Sequence, residues 1–150
     1  MARVILLDVN ILVALFFPDH VHHDLAHDWF TDEGQRGWAT CAVTENGFVR
    51  VACQRPTDTG NWRPEDALSF LQKFCSSEGH HFWPDRVSLR ERTLFNRAFI
   101  RGPSQITDVY LLGLARTMGG RLATFDRTIP LAAVIGAKRD TLAVIGPGRD

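Results

Sequence analysis

The 150-residue sequence predicts an α/β protein with three layers, α/β/α, around a central, mostly parallel sheet. Two observations carry this. Short apolar runs of strand length alternate with longer helix-like segments from one end of the chain to the other. The first such run, Val4-Ile5-Leu6-Leu7, has the length and branching of a strand covered on both faces. No repeat, low-complexity tract or linker interrupts the alternation, so a single domain over residues 1–150 is expected.

The elements follow in order. After the first strand, Asp8 is a boundary, and Ile11 to Phe17 reads as a short helix stopped by Pro18. A second helix opens at Asp19 or His20, runs to about Asp32 and ends at Gly34, with Leu25, Trp29 and Phe30 on its apolar face. Gly37 to Thr40 is a short strand. Ala42 to Cys53 is helical, with Val43, Phe48, Val49 and Ala52 pointing to the core. Residues 54–63 form a loop by composition. Pro64 suits the first position of the next helix, with Glu65 and Asp66 in its first turn, and that helix stops near Gly79. Phe82-Trp83 is a short strand and Leu89 to Ile100 a helix ended by Gly102-Pro103. Ser104 caps a helix from Gln105 to Met118, which Gly119-Gly120 terminates. Arg121 to Phe125 is a strand. A short helix around Pro130 to Ile135 and a last strand, Leu142 to Ile145, complete the pattern.

Composition excludes several classes. With 45% apolar and 23% charged residues, the chain is neither disordered nor collagen-like. Seventeen basic residues balance seventeen acidic ones, which argues against a uniformly basic nucleic-acid coat but leaves room for a local basic groove. All the basic residues but Lys73 and Lys138 are arginine. That preference suits phosphate or carboxylate recognition, and genome composition produces it equally well. Cys41, Cys53 and Cys75 form no CxxC pair, so free thiols in a reducing compartment are expected. The N-terminus lacks the long apolar core of a signal peptide, and no window approaches a membrane span. A cytoplasmic protein without membrane contact is expected.

Ligands of open parallel sheets bind beyond the carboxyl ends of the strands. Asp8 directly follows the first strand, and Asp126 follows the strand Arg121 to Phe125. Glu45 and Asp108 lie near the starts of helices, which open at that same edge. Four acidic groups from four distant segments therefore converge. Two carboxylates ~4 Å apart repel by roughly 4 kcal/mol at an effective dielectric near 20, and helix N-termini offset only part of this. A divalent cation offsets far more, and an all-oxygen donor set without cysteine suits Mg²⁺ or Mn²⁺. Such a site, open on one side, binds a phosphodiester and promotes in-line attack by water. Each carboxylate alone has an ordinary reading as a turn residue or helix cap; the joint pattern is what points to a site. Asn10, Thr107 and Thr124 lie beside these carboxylates and are candidates to orient them or a bound water.

These segments, Leu6-Leu7-Asp8-Val9-Asn10-Ile11-Leu12, Thr44-Glu45-Asn46-Gly47-Phe48, Thr107-Asp108-Val109-Tyr110-Leu111-Leu112 and Ala123-Thr124-Phe125-Asp126-Arg127, resemble the successive acidic motifs of the PIN domain, and more narrowly of VapC-type toxins. Any one motif is weak, but four in order are specific, and the resemblance spans Arg3 to about Ile145. The segment Pro18-Asp19-His20-Val21-His22-His23 is similar to the histidine-bearing second helix of many VapC toxins. The resemblance implies a Mg²⁺- or Mn²⁺-dependent endoribonuclease, the toxin of a toxin–antitoxin pair. It implies Asp8, Glu45, Asp108 and Asp126 as the catalytic, metal-holding residues, a VapB-type antitoxin as partner, and a homodimer.

Other features compete for function. His20, His23 and His27 share a helical face, but no HExxH accompanies them, so solvated or capping histidines are the expectation. Trp62 sits between Arg55 and Arg63, where it either stacks on RNA or packs as a lid. Arg50, Arg97, Arg101 and Arg116 are read as surface charges. Val13, Leu15, Phe16 and Phe17, with the helix Leu89 to Ile100, are either core or a dimer and antitoxin surface. Two alternative functions stand beside the nuclease. A haloacid-dehalogenase-type phosphatase needs a second Asp where Asn10 stands and a later Lys. A non-enzymatic acidic module binds metal or a partner without turnover.

Overall fold

A computed structural model of the protein describes residues 3–58 and 60–146. Five strands form one sheet in the order β5-β2-β1-β6-β7, and every neighbouring pair is parallel. They are β1 (Ile5–Leu7), β2 (Trp38–Cys41), β5 (His80–Trp83), β6 (Arg121–Thr124) and β7 (Leu142–Val144). A separate two-stranded antiparallel ribbon, β3 (Pro56–Thr57) and β4 (Gly60–Asn61), occupies the segment read as loop. The helices are α1 (Val9–Phe16), α2 (His23–Asp32), α3 (Ala42–Gln54), α4 (Pro64–Phe74) and α5 (Ile106–Thr117).

The three layers follow from the twofold side-chain period of the strands. Ile5 and Leu7 face a core shared with Ile11, Leu12, Phe48, Ala67 and Leu71, from α1, α3 and α4. Leu6, between them, faces the opposite core with Val109, Leu112 and Leu114 of α5. Central strands buried on both sides therefore need unbroken apolar runs, which β1 has. The aromatic residues of the first core interlock: Phe16 packs on Phe48, Phe70 and Phe74, and Trp38 lies 4.4 Å from Phe74, centroid to centroid.

The connections place the functional edge. From β1 the chain winds through α1 and α2 to β2, then through α3 and α4 to β5 at the sheet's margin. It then returns across the other face through residues 84–105 and α5 to β6, on the far side of β1. Winding direction reverses between β1 and β6, which makes the crevice at their carboxyl ends the expected ligand position in such a sheet.

Four expectations need correction. Leu89 to Ile100 is not a helix. Ser88 Oγ accepts from Arg90 N, Glu91 Oε1 from Ser88 N, and Asn96 Oδ1 from Ala98 N. These local bonds compete with helical ones. The backbone instead ties to the segment after β6, through Asn96 N to Ala133 O (2.9 Å) and Ile135 N to Leu94 O (2.8 Å). The second helix begins at His23 rather than at Asp19 or His20, because residues 17–22 turn on bonds such as His20 N to Phe17 O. Ser104 does not cap α5: it lies in a 3₁₀ turn, Pro103–Gln105, that feeds the helix directly. The segment around Pro130 to Ile135 contains only a 3₁₀ turn, Leu131–Ala133.

Candidate active site

Asp8 stands where β1 ends and α1 begins. Its carboxylate Oδ1 accepts from Ile11 N at 2.9 Å, capping the helix, and its own N–H donates to Ala123 O at 3.2 Å. Leu7 pairs with Ala123 across the ladder, so Asp8 falls beside Thr124, whose side chain hydrogen-bonds it. The side chain is buried, at 4% exposure. That burial, opposed by the hydrogen bonds of Thr124 and Ile11 and reinforced by the charge of Asp108, pushes its carboxyl up to about 6.

Asp126 follows β6 on the neighbouring strand. Its N–H donates to Thr124 Oγ1 at 3.0 Å, and its Oδ1 accepts from Thr128 N and Thr128 Oγ1. Thr124 thus contacts both acids, joining the ends of two adjacent strands. Asp108 lies in the first turn of α5, half-buried. Burial, then the charge of Asp126, raises its pKa. Three aspartates from three elements are therefore linked at the reversal point between β1 and β6, Asp108 to Asp8 and Asp126 to Asp108. Asn10, in the first turn of α1, and Thr107, beside Asp108, are exposed.

Glu45 has different partners. It sits in the first turn of α3, as expected, but its Oε2 accepts from Thr40 Oγ1 at 2.6 Å. Thr40 Oγ1 also lies 2.8 Å from His80 Nε2. Glu45, Cys75 and His80 offer donor atoms within 4.8 Å of one another; among the described residues this is the one such group of three metal-capable side chains. The sequence reading missed Thr40, Cys75 and His80. Their meeting depends on the pairing of β2 with β5, which no local pattern announces, although Thr40 stands at a strand end five residues before Glu45.

Other candidates resolve into packing. Trp62 lies against Phe17 and Phe70, with ring centroids 5.4 and 5.0 Å away. Val13 and Phe17 are buried and Leu15 and Phe16 pack onto the same core, so these four belong to the interior. His23 Nδ1 lies 2.7 Å from Ala14 O, and His20 Nδ1 accepts from His22 N, which fits capping. His22 stacks on Phe125, next to Asp126, at 4.8 Å. Arg116 donates to Gly136 O, while Arg50, Arg97 and Arg101 are exposed. No helix among the described residues is long and apolar enough to cross a membrane.

Known proteins resemble this chain in sequence and in fold. The PIN domain family model matches residues 5–134. Ribonuclease VapC44 of Mycobacterium tuberculosis is 43% identical over 140 residues, which cover 93% of this chain and 98% of that protein. Ribonuclease VapC39 of the same organism is 41% identical over 131 residues, covering 87% and 94%. The crystal structure of Mycobacterium tuberculosis VapC20, a sarcin-ricin-loop-cleaving toxin, superposes with a TM-score of 0.61 over 87% of this chain and 96% of that one. At 12% identity that likeness speaks for the fold alone. A parallel sheet with its acids at the β1–β6 crevice, matched over most of its length by these sequences, belongs to the PIN domain family, alongside the VapC ribonucleases.

Proposed function

We propose that the protein is a divalent-metal-dependent endoribonuclease, the toxin of a toxin–antitoxin pair, with Asp8, Glu45, Asp108 and Asp126 as its catalytic, metal-holding carboxylates. The observation that carries this reading is the buried Asp8, pushed up to about 6 and facing a second acid, Asp108, which itself faces a third. Gathering such charges is unfavourable in the empty site, and a cation relieves it. The donors are hard carboxylate oxygens, which fit Mg²⁺ or Mn²⁺. Such an ion, when bound, neutralises charge at the scissile phosphate and acidifies water.

The chain's own residues prepare the site. The start of α1 and Thr124 fix the Asp8 carboxylate in one orientation. The turn through Thr128 fixes Asp126. Asp108, its pKa raised by burial and by Asp126, is the acid we assign to take a proton from the attacking water. Glu45 completes the set when its carboxylate leaves Thr40 and turns to the aspartates. Asn10, at the mouth, binds substrate or water, and Thr107 supports Asp108.

The partners implied are RNA in the cytoplasm, a VapB-type antitoxin and a second copy of the chain. Cleavage of a mixed RNA substrate with Mg²⁺ or Mn²⁺ tests the activity. Wild type cuts and is silenced by a chelator, while Asp8→Asn and Asp108→Asn are folded and inactive. Cleavage by either variant at the wild-type rate would refute the assignment.

A further inference from the structure

We propose a second metal site, for a soft divalent cation of the zinc type, formed by Glu45, Cys75 and His80 and separate from the aspartate site. The three donors come from three anchored places: the first turn of α3, the residue that caps the C-terminus of α4, and the first residue of β5. Their ligand atoms already lie within 4.8 Å of one another. Tetrahedral zinc holds sulfur, nitrogen and oxygen donors about 3.3–3.8 Å apart, so side-chain movement of about an ångström closes the site.

The donor chemistry selects the ion. Thiolate and imidazole prefer zinc to magnesium, which takes oxygen. The aspartate crevice is all carboxylate, so the two sites divide cations by softness. The surroundings are those of a ligand-bearing histidine. Burial lowers the His80 pKa and so favours the neutral, ligating ring; the ring has a backbone hydrogen bond at Cys75, and its Nε2 faces Thr40. The buried Trp38 ring packs tilted against His80, centroids 4.7 Å apart, and limits how it turns. Thr40 Oγ1 donates to Glu45 Oε2 and also contacts His80 Nε2 and Cys75, so the hydroxyl stands among all three donors. Zinc exchanges those contacts for direct bonds. The Cys75 thiol proton leaves to solvent, and a water supplies the fourth ligand.

The consequence is regulatory, and it rests on the reading that Glu45 serves the nuclease. A Glu45 carboxylate bound to zinc is unavailable to the aspartates, so zinc switches the nuclease off while magnesium supports it.

The test uses the full-length protein freed of metal by a chelator. Equilibrium dialysis yields one zinc per chain in the presence of excess Mg²⁺. Cobalt, as a spectroscopic probe, gives a thiolate-to-metal charge-transfer band. Zinc also protects Cys75 from alkylation in the wild-type chain, a readout that needs no variant. Cys75→Ser and His80→Gln each weaken zinc binding about tenfold or more. In the cleavage assay, stoichiometric zinc silences wild type but leaves Cys75→Ser at its own zinc-free rate. The proposal is overturned if wild type binds no zinc, if cobalt shows no thiolate band, or if Asp8→Asn rather than Cys75→Ser removes the bound ion. Zinc stoichiometry is read without RNA, so a chain that cuts no RNA refutes the nuclease and leaves this site to be judged on binding.

Discussion

Asp8 couples stability to pH. Its carboxyl titrates near 6 in the folded protein against an ordinary 3.8, so the native state holds the proton more tightly than the unfolded chain. Its contribution is therefore fully present at and below about pH 4 and is lost as pH rises through 6. The shift corresponds to about 3 kcal/mol, as an order of magnitude. Asp108 is shifted in the same direction, by burial and then by Asp126. In metal-free protein, denaturant unfolding of wild type minus that of Asp8→Asn should show this loss between pH 4 and 7. A difference that stays flat over that range contradicts the assigned burial of charge. Asparagine still accepts from Ile11 N, so the variant keeps its helix cap. Thr124→Val probes the support rather than the acid. Without the hydroxyl that contacts Asp8 and Asp126, cleavage should fall by about 10–100-fold, with the fold retained in circular dichroism.

Two helical glycines permit close packing between elements. Gly47, inside α3, lies where a Cβ would come within 2.5 Å of Val9 Cγ2, so α3 and α1 cross closely. Gly113, inside α5, faces the ring of Phe95, which anchors the irregular segment before α5 and bridges to Val134. Alanine favours a helix by about 1 kcal/mol over glycine. At Gly113 the displaced Phe95 outweighs that gain, and Gly113→Ala should destabilise by about 1–3 kcal/mol in urea unfolding. A stabilised variant would show that Phe95 is not held there. The same segment explains the false helix at Leu89 to Ile100. Leu89, Leu94, Phe95 and Ile100 are real core, but Asn96 and Ser88 satisfy the backbone locally and Phe95 pairs with a distant strand-like residue. Tertiary pairing overrode propensity.

Across the molecule, cation binding at the proposed carboxylate site would add to folding stability. A ligand that binds only the native state at a hundred times its dissociation constant adds about 2.7 kcal/mol. Mg²⁺ or Mn²⁺ should therefore raise the melting temperature at pH 7 to 8, where Asp8 ionises, and do so weakly at pH 4.5. Scanning calorimetry checks this, and Asp8→Asn should lose most of the effect. An equal rise in wild type and variant would place the stabilising ion elsewhere.

Much of this was legible in the amino-acid order alone. Strand-length apolar runs, breakers such as Pro18 and Gly119-Gly120, and acids placed just after strands or in first helical turns are local signals, because backbone geometry ties each to its own element. They were enough to set the α/β class and most element positions, and to single out four acids, three of which meet at the β1–β6 crevice while Glu45 turns to Thr40. What needed the folded chain was contact between distant parts. The pairing of β1 with β6 put Asp8 beside Thr124 and Asp126, and the pairing of β2 with β5 set His80 against Thr40 and Glu45. Strand order is chosen by the summed burial of both sheet faces, a quantity spread over the whole chain, so no short stretch of residues carries it.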